Sequence, residues 1–530
     1  MFIPIIKPQE EPGRACWDND TLYWKGYYYA MSNLTEKQDS GGYTSGYAVD
    51  LHRSKDGIHW ERIAKNILPL ENAHAGFSFH RFGDTFYYHP TCTSEERGIH
   101  FKTYRSFDLV HWEHMGPEYD ILPDPKWYLQ RWDELQVLDD QEDGKPVYYG
   151  YISSEVRPEV GNPSCGLLKS YDGLSWEVLP PPVIEWGRIP SQHMEVSFCE
   201  KINGKYYLCL NGRLYLDSLG YSLFLFRGDS PNGPFYPDEA MFRLCGNSNR
   251  EHTWLTHTLQ IEDRFLCATW LSHDTDPCIP SRSFSVSPLM ELKEAQGHLR
   301  MAYWQGNNTC KGQPLPKSGW EMVHPLSTVS LPESRWQIEN SQLQLTGGRD
   351  GIILVSESLF SNQDGFVLEG TIRLQENRTT IETHHHAAWA GVFFETGERE
   401  GVVMAVSTHA CGATGILRFD NHPIGSYGFV DDAYAAQDLH TGRSGPLLGL
   451  IQFSCHDWIH PIGQATAPDL RHNTACSFRI LARGDYFQLY LNDWYVQTGI
   501  LPSSFTGRVG IVVLDGSAQM DSIQGWKMNL

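Results

Sequence analysis

No stretch of the 530-residue sequence approaches the ~20 consecutive apolar residues of a bilayer-spanning helix. The opening Met1-Phe2-Ile3-Pro4-Ile5-Ile6 is shorter than a secretory apolar core and has no small-residue cleavage site after it. A soluble, cytoplasmic chain is the expectation. The 12 cysteines include no Cys-x-x-Cys and no metal-ligand spacing, so buried free thiols are expected, with no metal and no cofactor. Cations are scarce as well: Lys plus Arg number 42 against 64 Asp plus Glu, a formal charge of −22. Such a surface repels phosphate backbones and anionic lipid, so neither nucleic acid nor membrane is expected as a partner. Helical periodicity is missing from the first 300 or so residues, which argues against a helical or α/β architecture there.

Aromatic residues, by contrast, are plentiful: 13% of the chain, with 17 Trp and 26 Tyr. They recur in a pattern. Ser54-Lys55-Asp56-Gly57-Ile58-His59-Trp60 returns as Ser106 to Trp112 and as Ser170 to Trp176. Asp at such a turn accepts backbone N–H groups, Gly takes positive φ, and Trp covers a sheet edge, so the repeat is structural. Upstream of each copy lies a hairpin pattern, an apolar strand and a Gly turn followed by an aromatic strand. Instances are Leu22 to Tyr29, Phe77 to Tyr88, Leu135 to Tyr149 and Lys201 to Leu208, with a degenerate fifth at Leu259 to Leu266. Five such units over roughly 300 residues predict a five-bladed β-propeller of about 50–60 residues per blade. After the Pro- and Gly-bearing stretch Gly312 to Gly319, alternating strands such as Phe366 to Ile372, Tyr486 to Leu491 and Gly507 to Val513 predict an antiparallel β-sandwich. The expected fold is therefore all-β, with a propeller over 1–314 and a concanavalin-like sandwich over 325–530.

In a propeller the innermost strand of each blade lines a central funnel, and polar residues at its start point into the pocket. Carboxylates stand there on three blades: Asp18 and Asp20 on blade one, Asp133 on blade three and Glu195 on blade four. Glycosidic cleavage needs one carboxylate to attack or activate water and a second, protonated one to feed the leaving oxygen. A third acidic group raises that acid's hold on its proton.

On these residues the chain resembles the clan of five-bladed glycoside hydrolases, first family 32 (invertases and fructanases) and second family 43 (arabinanases and xylosidases). Glu195 with the hairpin Lys201 to Leu208 is similar to the acid-bearing strand of both families, and Arg131-Trp132-Asp133 resembles the fructanase Arg-Asp-Pro. The resemblance implies Glu195 as general acid, Asp133 as transition-state stabiliser and a blade-one Asp as nucleophile or base. Asp18 has the better spacing to Gly26. Asp20 is the alternative, because Trp17-x-Asn19-Asp20 is similar to the fructanase Trp-x-Asn-Asp. The sequence lacks Asn-Asp-Pro-Asn-Gly and Glu-Cys-Pro, so it departs from a standard invertase. Trp17, His74, Phe77, Arg131, Trp132 and His193 are the expected substrate-binding residues. His257 resembles the central histidine of some family 43 members, although a packed core role suits it better. His384-His385-His386 reads as a loop, and the sandwich as a brace for the propeller.

The implied activity is removal of terminal furanoside residues, β-fructofuranoside-like, from an oligosaccharide partner. The alternatives are an inverting arabinofuranosidase or xylosidase, and a carbohydrate-binding propeller without turnover.

Overall fold

The computed structural model describes residues 14–36, 47–70, 73–74, 79–161, 164–187, 194–212, 222–239, 241–245, 251–255, 258–273, 283–316, 319–323, 335–339, 342–347, 352–377, 389–397, 400–407, 413–420, 458–466, 473–484, 486–500, 505–514 and 516–530. Blade one begins with the antiparallel hairpin Arg14–Trp24 and Tyr27–Glu36, blade three with Tyr128–Glu142 and Lys145–Val156, and blade four with Glu195–Ile202 and Lys205–Gly212. The turns follow from local chemistry. Lys25-Gly26, Asp143-Gly144, Asn203-Gly204 and Gln296-Gly297 all have positive φ at both residues, the twist that two-residue hairpin turns require.

Blade two is broken into two short sheets, and blade five into a three-stranded sheet and a four-strand run that continues through Trp494–Ile500 into a sheet of the sandwich. The breaks fall at Pro90 and Pro288, which bring no N–H to a ladder. The Ser-x-Asp turns behave as structural units: Ser54 Oγ accepts the Gly57 N–H at 3.0 Å, and Asp56 Oδ1 accepts those of Ile58 and His59 at 2.9 Å. Asp108 and Asp172 repeat the arrangement. Blades one and five meet where Tyr28 and Trp304 pack edge to face at 5.7 Å.

The sandwich has two sheets. One runs Trp320–Val323, Ile352–Ser361, Thr506–Leu514, Trp389–Gly397, Glu400–Ser407, Ala413–Asp420, Trp458–Thr466. The other runs Trp494–Ile500, Tyr486–Leu491, Cys476–Arg483, Phe366–Asn377, Gly516–Met528, Gln342–Gly347, Arg335–Glu339. Phe366, Phe394, Phe487, Phe505 and Ile511 fill the space between them. Lys311–Pro314 pairs with Gly516–Met528, and Trp320–Val323 with Ile352–Ser361. Residues around the Pro- and Gly-bearing stretch thus form strands that pair with the sandwich. Two four-residue edge strands flanked by Pro and Gly carry too little alternation to be recognised.

Eight described cysteines are free and buried. Among the described residues no helix is long and apolar enough to cross a membrane. The triple-histidine run lies outside the described residues.

Candidate active site

The innermost strands of blades three and four bring the site together. Side chains alternate between faces along a strand, so Arg131 and Asp133 share one face while Trp132 takes the other. Arg131 Nη2 lies 2.7 Å from Glu195 Oε1 and 3.6 Å from Asp133 Oδ2. The side chains of Arg131, Asp133 and Glu195 are 27%, 20% and 24% exposed, so all three are open to a ligand. One guanidinium thus brings carboxylates from two blades together.

Trp132 departs from its expected substrate-binding role. It is 0% exposed, donates its indole N–H to Ile121 O at 3.1 Å and packs on Phe101 and Tyr128. Its type suits a sugar, but its phase on the strand sends it into the blade.

Glu195 is held by its neighbours' backbone. The Met194 N–H donates to Ser164 Oγ at 2.8 Å and the Val196 N–H to Ser153 Oγ at 2.7 Å, both serines being wholly buried on blade three. Asp133 Oδ1 accepts the Thr91 hydroxyl at 2.9 Å, a contribution from blade two. Burial pushes the Asp133 carboxyl up to about 6; the nearby Glu195 charge adds to this, and Arg131 and Thr91 oppose it. Arg131 is held more firmly charged than usual: burial works against the cation, but Glu195, Glu134 and Asp133 outweigh it.

Glu134 interrupts the strand. The pairing with Lys145–Val156 slips between Asp133 and Leu135, and Glu134 occupies the bulge in the left-handed conformation, φ 56°. Its Oε2 accepts the Ser153 hydroxyl at 2.7 Å.

On blade one, Trp17 and Asp18 fall at a bulge between Cys16 and Asn19, and two residues further on Asp20 is wholly buried. His74 lies in the short strand Ala73–His74, paired with Thr91. The side chains of Trp17, Asp18 and His74, together with Phe77, His193 and His257, lie outside the described residues. The sequence reading missed Thr91, Ser153 and Ser164 as parts of the site. Small hydroxyl residues in a strand carry no signal until another blade is laid against them.

The same innermost strands end in a second chamber of about 580 Å³, lined by Arg81, Asp139, Glu200 and Thr258 among others. Glu200 lies five residues beyond Glu195, roughly 17 Å along an extended strand.

No family model matches this sequence, and no curated protein does. Solved structures do. Sucrose-6-phosphate hydrolase from Lactobacillus gasseri superposes with a TM-score of 0.60 at 12% identity, over 97% of this chain and 91% of that one. Fructan 1-exohydrolase IIa from Cichorium intybus gives 0.61 at 11% identity, over 98% and 96%. The family 32 β-fructofuranosidase BmSUC1 from Bombyx mori gives 0.59 at 12%, over 99% and 95%. The whole-chain likeness agrees with the resemblance carried by the blade residues and establishes the fold: a five-bladed β-propeller joined to a β-sandwich, as in the family 32 glycoside hydrolases.

Proposed function

We infer that the protein is a glycoside hydrolase that releases terminal β-fructofuranoside residues from short neutral oligosaccharides. The observation that carries this reading is the ion-pair cluster in which Arg131 joins Asp133 of blade three to Glu195 of blade four. The neighbours' printed activities, on sucrose 6-phosphate, fructan and β-fructofuranosides, add the sugar class.

Glu195 is assigned as general acid, Asp133 as the group that stabilises the cationic sugar ring, and Asp18 of blade one as nucleophile or base, with Asp20 as the second candidate. The surplus of carboxylates over cations around the cleft disfavours anionic sugars.

The test is sugar release from sucrose, inulin, levan and aryl arabinofuranoside by wild type, Glu195→Gln, Asp18→Asn and Asp20→Asn. Loss of the acid is expected to lower kcat by about 10²–10⁴-fold. Loss of the nucleophile is expected to abolish turnover, which decides between Asp18 and Asp20. Wild-type activity that survives in Glu195→Gln removes Glu195 from the mechanism. A folded wild type inactive on every substrate favours a binding propeller.

A further inference from the structure

Glu134 is unusual on three counts. It is a charged residue in the middle of a strand, and it occupies a left-handed conformation that non-glycine residues rarely adopt. Most other non-glycine residues with positive φ, such as Lys25, Asp143 and Asn203, sit in turns. Finally, its carboxylate accepts the hydroxyl of Ser153, a wholly buried side chain. A backbone forced into such a conformation inside a strand persists only where the contacts it makes hold it there.

The Ser153 hydroxyl has a single proton. Giving it to Glu134 Oε2 at 2.7 Å turns an oxygen lone pair towards the Val196 N–H, which donates to it at 2.7 Å. Val196 is the residue after Glu195. An unbroken chain therefore runs from the blade-three bulge through Ser153 to the start of the strand that presents Glu195, and each bond polarises the next. The bulge also separates Glu134 from Asp133, so Asp133 keeps its own bond to Thr91 while Glu134 takes Ser153.

We propose that Glu134 is a positioning residue for Glu195, acting through the Ser153 hydroxyl and the Val196 N–H to fix where the carboxyl of Glu195 stands against the leaving oxygen. This inference rests on the reading of Glu195 as the acid. It assigns to Glu134 no contact with substrate.

The experiment compares wild type, Glu134→Ala, Glu134→Gln and Ser153→Ala in two readouts. The first is deuterium exchange at the Val196 amide, which needs no substrate. The second is kcat and KM on the fructoside that the wild type cleaves best. Glu134→Ala and Ser153→Ala are expected to speed exchange at Val196. They should lower kcat by about 10- to 100-fold with KM within about threefold, since a misplacement of about 1 Å costs up to 10²-fold. Glu134→Gln keeps an oxygen acceptor for Ser153 and should restore both readouts to within about threefold of wild type, which a merely structural role or a bare charge effect would not do.

Unchanged exchange at Val196 in Glu134→Ala overturns the proposal, as does faster exchange with kcat unchanged. If Glu134→Ala fails to fold, Ser153→Ala and Glu134→Gln decide the matter alone. A wild type inactive on all fructosides sinks the functional reading and the catalytic half of this inference with it, while the exchange comparison still decides whether Glu134 holds the strand.

Discussion

Asp133 and Glu200 sit towards opposite ends of the funnel, and burial raises the hold of each on its proton. In Asp133 the value is about 6; in Glu200 it is about 8, with the Asp139 charge adding to burial and the Thr258 hydroxyl opposing it. The native state therefore binds a proton that the unfolded chain releases near the ordinary value of 4.5. Its contribution to stability is full below that pH and is lost as pH rises through about 8. Glu200→Gln is accordingly expected to raise the melting temperature by a few degrees at pH 8.5 and to leave it near wild type at pH 4; equal effects at both pH values would refute the assignment. That Asp133 and Glu195 stand on neighbouring blades was legible because acids at the start of successive innermost strands repeat at blade spacing. Their partners were not, since Thr91 and Ser153 gain meaning only from the blade that lies against them. Trp132 was misread because residue type was weighed without strand phase.

Turns made the blades legible. Lys25-Gly26 and its counterparts show positive φ, and the Ser-x-Asp turns form the same hydrogen bonds in each copy, with Leu109 taking the glycine's place in the second. The third copy carries an added constraint. A Cβ on Gly173 would stand 2.2 Å from the Phe82 ring, which itself packs on Tyr148 at 4.2 Å between blades two and three. A Cβ on Gly26 would meet nothing within 4 Å. Both glycines have positive φ, so alanine costs each about 1 kcal/mol in conformation. Gly173→Ala is expected to lose a further ~1–3 kcal/mol through the clash. Urea unfolding of the two variants measures the difference, and equal midpoints would show that Phe82 moves aside freely. The broken strands at Pro90 and Pro288 and the short edge strands at Lys311–Pro314 and Trp320–Val323 escaped the sequence reading, because pieces of two to four residues hold barely one period of alternation.

Propeller and sandwich share a core. Met301 and Tyr303 of blade five cluster with Val367, Leu481, Tyr490 and Tyr495 of the sandwich, and Ala302 is bridged to Trp494. Above this core Arg479 lies 3.7 Å over the Tyr303 ring and pairs with Glu369, which Lys311 also meets at 2.7 Å. Arg479→Ala removes the cation over the ring and leaves Glu369 with one partner. It is expected to lower the urea midpoint and to split a single unfolding transition into two, whereas a single transition at the wild-type midpoint would show that apolar contact alone couples the halves. Repeat count, turn chemistry and strand alternation are local properties, so the order of residues by itself determined that the chain is all-β, that it makes five blades and a sandwich, and that acids open the innermost strands. Which carboxylates share Arg131, that Trp132 faces inward, that Glu134 reaches Ser153 and that Lys311–Pro314 pairs with the sandwich were decided only when separate elements met. Each of these depends on the placement of groups dozens of residues apart, and a strand's sequence shows which of its residues share a face but not what that face will touch.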